Sequence, residues 1–209
     1  MTRRPLARRM AAVAVSTAAL TALAAPAEAA TTAAPAPSAA AVDYATWQRD
    51  CGRVMDEAFP YIQSRVAAGS GSGSGSGEKQ AIVLDVDNTT LETDFGFRFP
   101  QPANRPVLKV AQYAQDHGVA LIFVTARPGL LHWPTSYNLE HDGYRVTDLR
   151  VRGLVDLFKN VADYKTAQRA DIERQGYTII ANIGNSPTDL TGGHADRTFK
   201  LPDYDGQLS

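Results

Sequence analysis

Ala81-Ile-Val-Leu-Asp85-Val-Asp87-Asn-Thr89 is the stretch that decides how this chain is read. Residues 81–84 are a continuous apolar run, the composition of a strand buried on both faces of a parallel sheet. The run then turns polar, and Asp85 stands where a charge is costly unless a cation or hydrogen-bond donors compensate it. Strand side chains alternate, so Asp85 and Asp87 lie on one side of the chain. Three readings compete for this Asp-x-Asp-x-Thr run. A calcium loop of the EF-hand type needs Gly at its sixth position and Glu at its twelfth; here those are Thr90 and Gly96, and an apolar strand rather than a helix leads in. An ordinary turn suits Asp and Asn, but it leaves the charge of Asp85 unexplained. Hard oxygen donors with no His or Cys beside them suit Mg²⁺.

Two further apolar runs end in the same way. Val119–Val124 leads into Thr125-Ala-Arg127-Pro, and Tyr177–Ile183 leads into Gly184-Asn185-Ser-Pro-Thr-Asp189. Tyr144–Val151 reads as a shorter strand. Between the strands, Asn104–His117 reads as a helix stopped by Gly118, and Asp163–Gln175 as one ended by Gly176. Ahead of them, Asp43 is placed to cap a helix whose apolar residues Tyr44, Trp47, Cys51, Val54, Met55, Ala58, Phe59 and Ile62 fall at helical spacing, with Pro60 expected to kink or divide it. Strands alternating with helices predict an α/β sandwich around a mostly parallel sheet. Ligands bind at the carboxyl ends of strands in such sheets, so the three polar loops should converge. Gly69–Gly77 is a Gly-Ser alternation, read as a flexible loop. It is not a phosphate-binding P-loop, because Glu78 precedes Lys79 and the glycines precede the strand.

The amino terminus has its own logic. Arg3, Arg4, Arg8 and Arg9 are followed by an apolar run, Ala11–Ala25, and by Ala27-Glu-Ala29. A basic region, a short apolar region and an A-x-A site predict a secretory leader over 1–29, and the run is too short and too diluted by Ser and Thr for a membrane span. Residues 30–42, rich in Ala, Pro, Thr and Ser, read as a disordered spacer. The folded part is then 43–209, with 43–68 as an N-terminal helical part and 69–77 as the Gly-Ser loop. An exported protein without a stable membrane anchor is expected. The whole chain of 209 residues has net charge −1 and one Cys. Without a basic excess, a nucleic-acid partner is not expected. One Cys excludes an intrachain disulfide framework and a Cys-based zinc cluster.

From about Gln80 onward the chain resembles the haloacid-dehalogenase-like (HAD) phosphatases, in the secreted acid phosphatase branch (subfamily IIIB, class B-like). Four motifs occur in the family's order. They are the strand with Asp85-x-Asp87-x-Thr89, the strand ending in Thr125, a Lys at 165 (with Lys159 as the alternative), and Gly184-Asn185-x-x-x-Asp189. The resemblance implies a Rossmann-like three-layer sandwich with a small or minimal cap. It implies a phosphomonoesterase acting on small phosphate monoesters. Asp85 would be the nucleophile that forms an aspartyl-phosphate and Asp87 the general acid and base, with Thr125 and Lys165 holding the phosphoryl oxygens. Thr89 and Arg127 would contact substrate. Mg²⁺ would be held by Asp85, Asp87, Asn185 and Asp189. The family's usual acid at the first polar position of the fourth motif is Asn185 here, which supplies an oxygen but no charge. That departure sustains an alternative, a catalytically impaired phosphate-ester binding or storage protein on the same scaffold. Phe95, Phe97 and Phe99 alternate between the first two motifs, as either a core strand or a lip facing substrate. The four His are scattered and take no catalytic role. Neither the particular ester nor the oligomeric state is legible.

Overall fold

The computed structural model of the protein describes residues 42–70, 77–96 and 98–208. The expected leader and the spacer through residue 41 lie outside the described residues, as do 71–76 of the Gly-Ser run and Phe97. The apolar run before Asp85 forms β1 (Gln80–Leu84), buried at every position. It lies at the centre of a five-stranded sheet with β2 (Ala120–Pro128), β3 (Val146–Arg152), β4 (Thr178–Gly184) and β5 (Thr198–Lys200). The spatial order is β3-β2-β1-β4-β5, and every pairing is parallel. Because all strands run the same way, the loops after β1, β2 and β4 leave from one edge, side by side.

The side-chain period of two divides β1 and β2 between two cores. Ile82, Leu84, Leu121 and Phe123 join the larger cluster, beneath α1 (Tyr44–Ser70), α2 (Arg105–Asp116) and α3 (His132–His141). Ala81, Val83, Ile122 and Val124 face the opposite way, where Tyr164 and Ile172 of α4 (Val161–Arg174) cover them. The α/β sandwich around a parallel sheet predicted from the strand and helix pattern is the architecture observed, with the three layers that the resemblance implied. Between β1 and β4 the register slips by one residue, from Ala81↔Ile179 to Ile82↔Ala181, near the start of β1 and away from the strand exits.

Several elements differ from the sequence expectation. Helix α1 runs unbroken through Pro60. Pro60 and Asp56, whose carbonyl loses its helical partner, are both on the exposed side, so the freed carbonyl is on the solvent face and the buried stripe Trp47, Cys51, Met55, Ala58, Ile62 and Val66 is undisturbed. Gly69 and Ser70, assigned to the Gly-Ser loop, end that helix instead. Asp43 caps it as expected, its carboxylate accepting from Thr46 N at 2.8 Å. Cys51 is wholly buried, and burial pushes its thiol up to about 12. Helix α3, the edge strand β5 and the four-residue α5 (Pro187–Leu190) had no clear periodic signal. The phenylalanines between β1 and α2 form no strand among the described residues. Phe95 stacks on Trp47 at 4.3 Å between ring centroids, whereas Phe99 is 61% exposed and stacks on Tyr137 at 6.0 Å. Phe95 thus packs in the core, though on no strand, and Phe99 stands exposed.

Candidate active site

Asp85 follows β1 directly, its backbone N still bonded to the Ile183 carbonyl of β4 at 3.0 Å. That bond fixes its side chain at the strand exit. Lys165, on the inner face of α4, reaches it from the other side of the sheet edge: Nζ donates to Asp85 Oδ1 at 2.6 Å and to Asp189 Oδ1 at 2.5 Å. The three residues are 6%, 4% and 3% exposed for Asp85, Lys165 and Asp189. Burial works against the Lys165 charge, but the two carboxylates outweigh it and hold the ammonium protonated, above its ordinary range. Burial pushes the Asp85 carboxyl up, against the pull of Lys165, and Asp189 adds to the rise.

Asp189 is fixed by its own turn. Its Oδ2 accepts from Ser186 N at 2.8 Å, half of a capping box with the Ser186 side chain. Its backbone carbonyl accepts from Asn182 Nδ2 at 2.9 Å and from Arg169 Nη1 at 2.6 Å. A methyl group at Gly184 would fall on the Asp189 side chain, so only glycine lets β4 pass this close. The buried Arg169 also donates to the carbonyls of Thr191 and Gly193, tying the whole fourth-motif loop to α4. Sequence reasoning missed Arg169. Its signal was its position four residues after Lys165, on the same helix face.

Asp87 does not share the Lys165 cluster. Both of its oxygens accept from Arg127 (Nη2 to Oδ1 at 2.7 Å, Nε to Oδ2 at 3.1 Å), and Thr93 Oγ1 donates to Oδ1 at 2.8 Å. Burial opposes the charge, but Arg127 and Thr93 outweigh it and hold the Asp87 carboxyl below its usual range. Arg127, expected to touch substrate, is spent here on Asp87, Thr135 and Gln101. Thr89, expected to do the same, is fully buried and bonded to Asn185: its hydroxyl accepts from Asn185 N at 3.1 Å and donates to Oδ1 at 3.3 Å. Thr125 is also buried, and its hydroxyl accepts from Arg127 N at 3.2 Å. Asn88, in the left-handed region at φ 51°, turns the chain after Asp87 and is pinned by exchanging bonds with Asp94.

Asp85, Asp87, Lys165, Asn185 and Asp189 line one cleft of about 420 Å³. A second, of about 450 Å³, opens on the far side of Asp87 and is lined by Phe99, Leu131, Pro134, Arg98 and Arg127 among others. The first cleft suits a hard cation. Two buried carboxyl groups meet there, and the donors around them are oxygens. Among the described residues no group of three or more His, Cys, Asp or Glu side chains is arranged to hold a metal. A cation held there would need ligands beyond carboxylates, for which the Asn185 oxygen and backbone carbonyls are at hand. Lys159 lies elsewhere, exposed and paired with Asp156 at 2.8 Å, so Lys165 is the lysine of the cleft.

Comparison with known proteins bears on the family and the fold. The family model described as HAD superfamily, subfamily IIIB (acid phosphatase), matches residues 2–101 and 98–207. Two curated relatives from Glycine max, a stem 28 kDa glycoprotein and a stem 31 kDa glycoprotein, are each 35% identical over 119 residues, 55% of this chain. The aligned region spans 47% and 41% of their respective lengths, so the chain matches about half of each. Two crystal structures of the class C acid phosphatase from Bacillus anthracis share the fold. The tungstate-bound form has a TM-score of 0.53 at 17% identity, over 72% of this chain and 67% of that one. The other has a TM-score of 0.51 at 19% identity, over 70% and 69%.

Proposed function

The chain belongs to subfamily IIIB of the HAD superfamily, the acid phosphatases, and from that premise we propose that it hydrolyses small phosphate monoesters through Asp85. The observation that carries the proposal is the Asp85–Lys165–Asp189 cluster at 2.6 and 2.5 Å, buried at the mouth of a parallel sheet. Such a buried carboxylate, held in one orientation by a charged donor, is placed for attack on phosphorus. A bond forms from an Asp85 oxygen to phosphorus as the bond from phosphorus to the ester oxygen breaks. The departing oxygen takes a proton from Asp87, and in the second step the ionised Asp87 takes a proton from the water that releases phosphate from Asp85. Lys165 supplies positive charge to the phosphoryl oxygens without moving, since α4 and the two carboxylates fix it beforehand.

Asp85, the Asp87 backbone carbonyl, Asn185 and Asp189 would hold Mg²⁺. When bound, the ion would neutralise charge on the phosphoryl group and on Asp85. The leaving group has to lie against Asp87, on the side of the cleft bearing Phe99, Leu131 and Pro134. Export, as the leader predicts, would place this reaction outside the cell.

The neutral Asn185 favours a second reading, a protein that binds phosphate esters without turning them over. Hydrolysis of an aryl phosphate with Mg²⁺ at mildly acidic pH, with and without chelator, separates the two. The enzyme reading expects turnover that disappears in Asp85→Asn. Equal, negligible turnover in both proteins rejects it, and calorimetric binding of a phosphate ester without hydrolysis would then support the second reading.

A further inference from the structure

Asn185 has hydrogen-bond partners that a metal ligand does not need. It is 2% exposed at the end of β4, and its Nδ2 donates to the backbone carbonyl of Leu208. Oδ1 is turned to the Thr89 hydroxyl, and the Asn185 backbone N is bonded to the same hydroxyl. Leu208 is 4% exposed and belongs to the main core cluster. The chain reaches that position by a tight reversal after β5. Tyr204, Asp205 and Gly206 all have positive φ, and Leu208 N closes the turn on Asp203 O at 3.1 Å. Tyr204 OH then fastens the reversal to α1 through Asp50 Oδ2 at 2.9 Å. The segment 201–208 thus leaves the sheet edge and comes back to the exit of β4.

The amide is the feature that closes this loop. Its NH₂ is a donor facing a carbonyl; a carboxylate in the same place would set two acceptors against each other in a buried site, which is costly. We propose that Asn185 is a positioning residue, a latch that binds segment 201–208 to the fourth-motif loop and thereby orients its own Oδ1 and the start of the turn that carries Asp189. Asn in place of the acid exchanges a unit of ligand charge for a donor to the tail. The inference concerns the packing at β4 and holds whether or not the cleft turns substrate over.

Hydrogen exchange of the full chain, read by mass spectrometry without added metal, tests the latch in Asn185→Asp and Leu208→Ala. Both variants should exchange the amides of 201–208 faster, by about tenfold, while β1 keeps its protection. If Asn185→Asp protects 201–208 as well as the parent does, the latch is wrong. Leu208→Ala keeps the carbonyl and loosens the tail through packing alone; Asn185→Ala, which removes the donor without adding a charge, carries the same test if Asn185→Asp does not fold. The positioning role is read separately, by titrating Mg²⁺ alone into Leu208→Ala. Leu208 offers no side-chain oxygen, so a severalfold weaker affinity reports on Asn185 through the latch. Unchanged Mg²⁺ affinity in a variant whose tail has loosened overturns that role. Exchange requires neither turnover nor bound metal, so the latch and the phosphatase reading fail independently.

Discussion

Lys165 sets the charge balance of the cleft. Two buried carboxylates face it, and without it Asp85 and Asp189 would stand as buried like charges with no cation between them. Lys165→Met should abolish turnover and cost about 3–5 kcal/mol of stability, the range for removing one partner of a buried ion pair. Urea denaturation measures the second effect; a stability unchanged within error would mean that the pair is not buried in solution. Asp87 presents a different balance. Protonated Asp87 is needed for the first step, and Arg127 holds its carboxyl low, so kcat/KM should fall as pH rises through that lowered value. Arg127→Met removes the charge that depresses it. The carboxyl then rises, and the fall in kcat/KM should move to higher pH. A pH–rate profile whose descending limb does not move separates Asp87 from that limb. Both acids were legible in the sequence from the motif, but β1 ends at Leu84, so a turn rather than the strand period sets Asp87 relative to Asp85. The partnership of Arg127 with Asp87, across 40 positions, was not legible.

At the scale of elements, the segment from Leu91 to Ala103 does more than connect β1 to α2. Glu92 lies under it, accepting from Tyr44 OH at 2.9 Å and Gln48 Nε2 at 3.1 Å. Burial pushes its carboxyl above the ordinary value of 4.5, against the pull of Tyr44, Arg105 and Arg98. A carboxyl raised in the folded state adds stability below its unfolded value, and that stability is lost as pH rises through the folded value. Glu92→Gln keeps an acceptor for Tyr44 and has no charge to bury. Its melting temperature should therefore equal or exceed that of the parent at neutral pH, with the difference shrinking toward acid pH. Thermal melts over a pH series check the sign, and a parent that gains on the variant as pH rises contradicts it. The alternation of Phe95, Phe97 and Phe99 invited a strand, but tertiary contacts send Phe95 to Trp47 and leave Phe99 at the lip. In α4, Lys165 was read from motif order, whereas Arg169 became visible only when the loop it holds was seen beside it.

Over the whole molecule, the sheet order brings the exits of β2, β1 and β4 together, so that four separated stretches of sequence make one site. A ligand that binds only the folded form raises stability by mass action. Mg²⁺ at a hundredfold excess over its dissociation constant should add about 2.7 kcal/mol. A melting temperature that rises with Mg²⁺ in the parent and much less in Asp85→Asn is expected. An equal rise in both would place the ion elsewhere. The edge strand β5 and the tail beyond it pack against β4 and its exit. Neither has the apolar length that marks a buried strand, since β5 is three residues with only its middle one buried.

The sequence by itself determined the central strands and the helices α2 and α4 between them, and it pointed to Asp85, Asp87, Lys165 and Asp189 as candidates for the cleft. Those are matters of period, apolar run length and motif order, which are local along the chain. The tertiary structure alone decided who pairs with whom: Arg127 with Asp87, Arg169 with the fourth-motif loop, Thr89 and Leu208 with Asn185. Hydrogen-bond partners across tens of residues leave no periodic trace, and a side chain at a strand exit can face solvent, substrate or another loop with the same local pattern. Which of these it faces is set by packing, and at Asn185 packing by a distant segment decides what an amide at that position does.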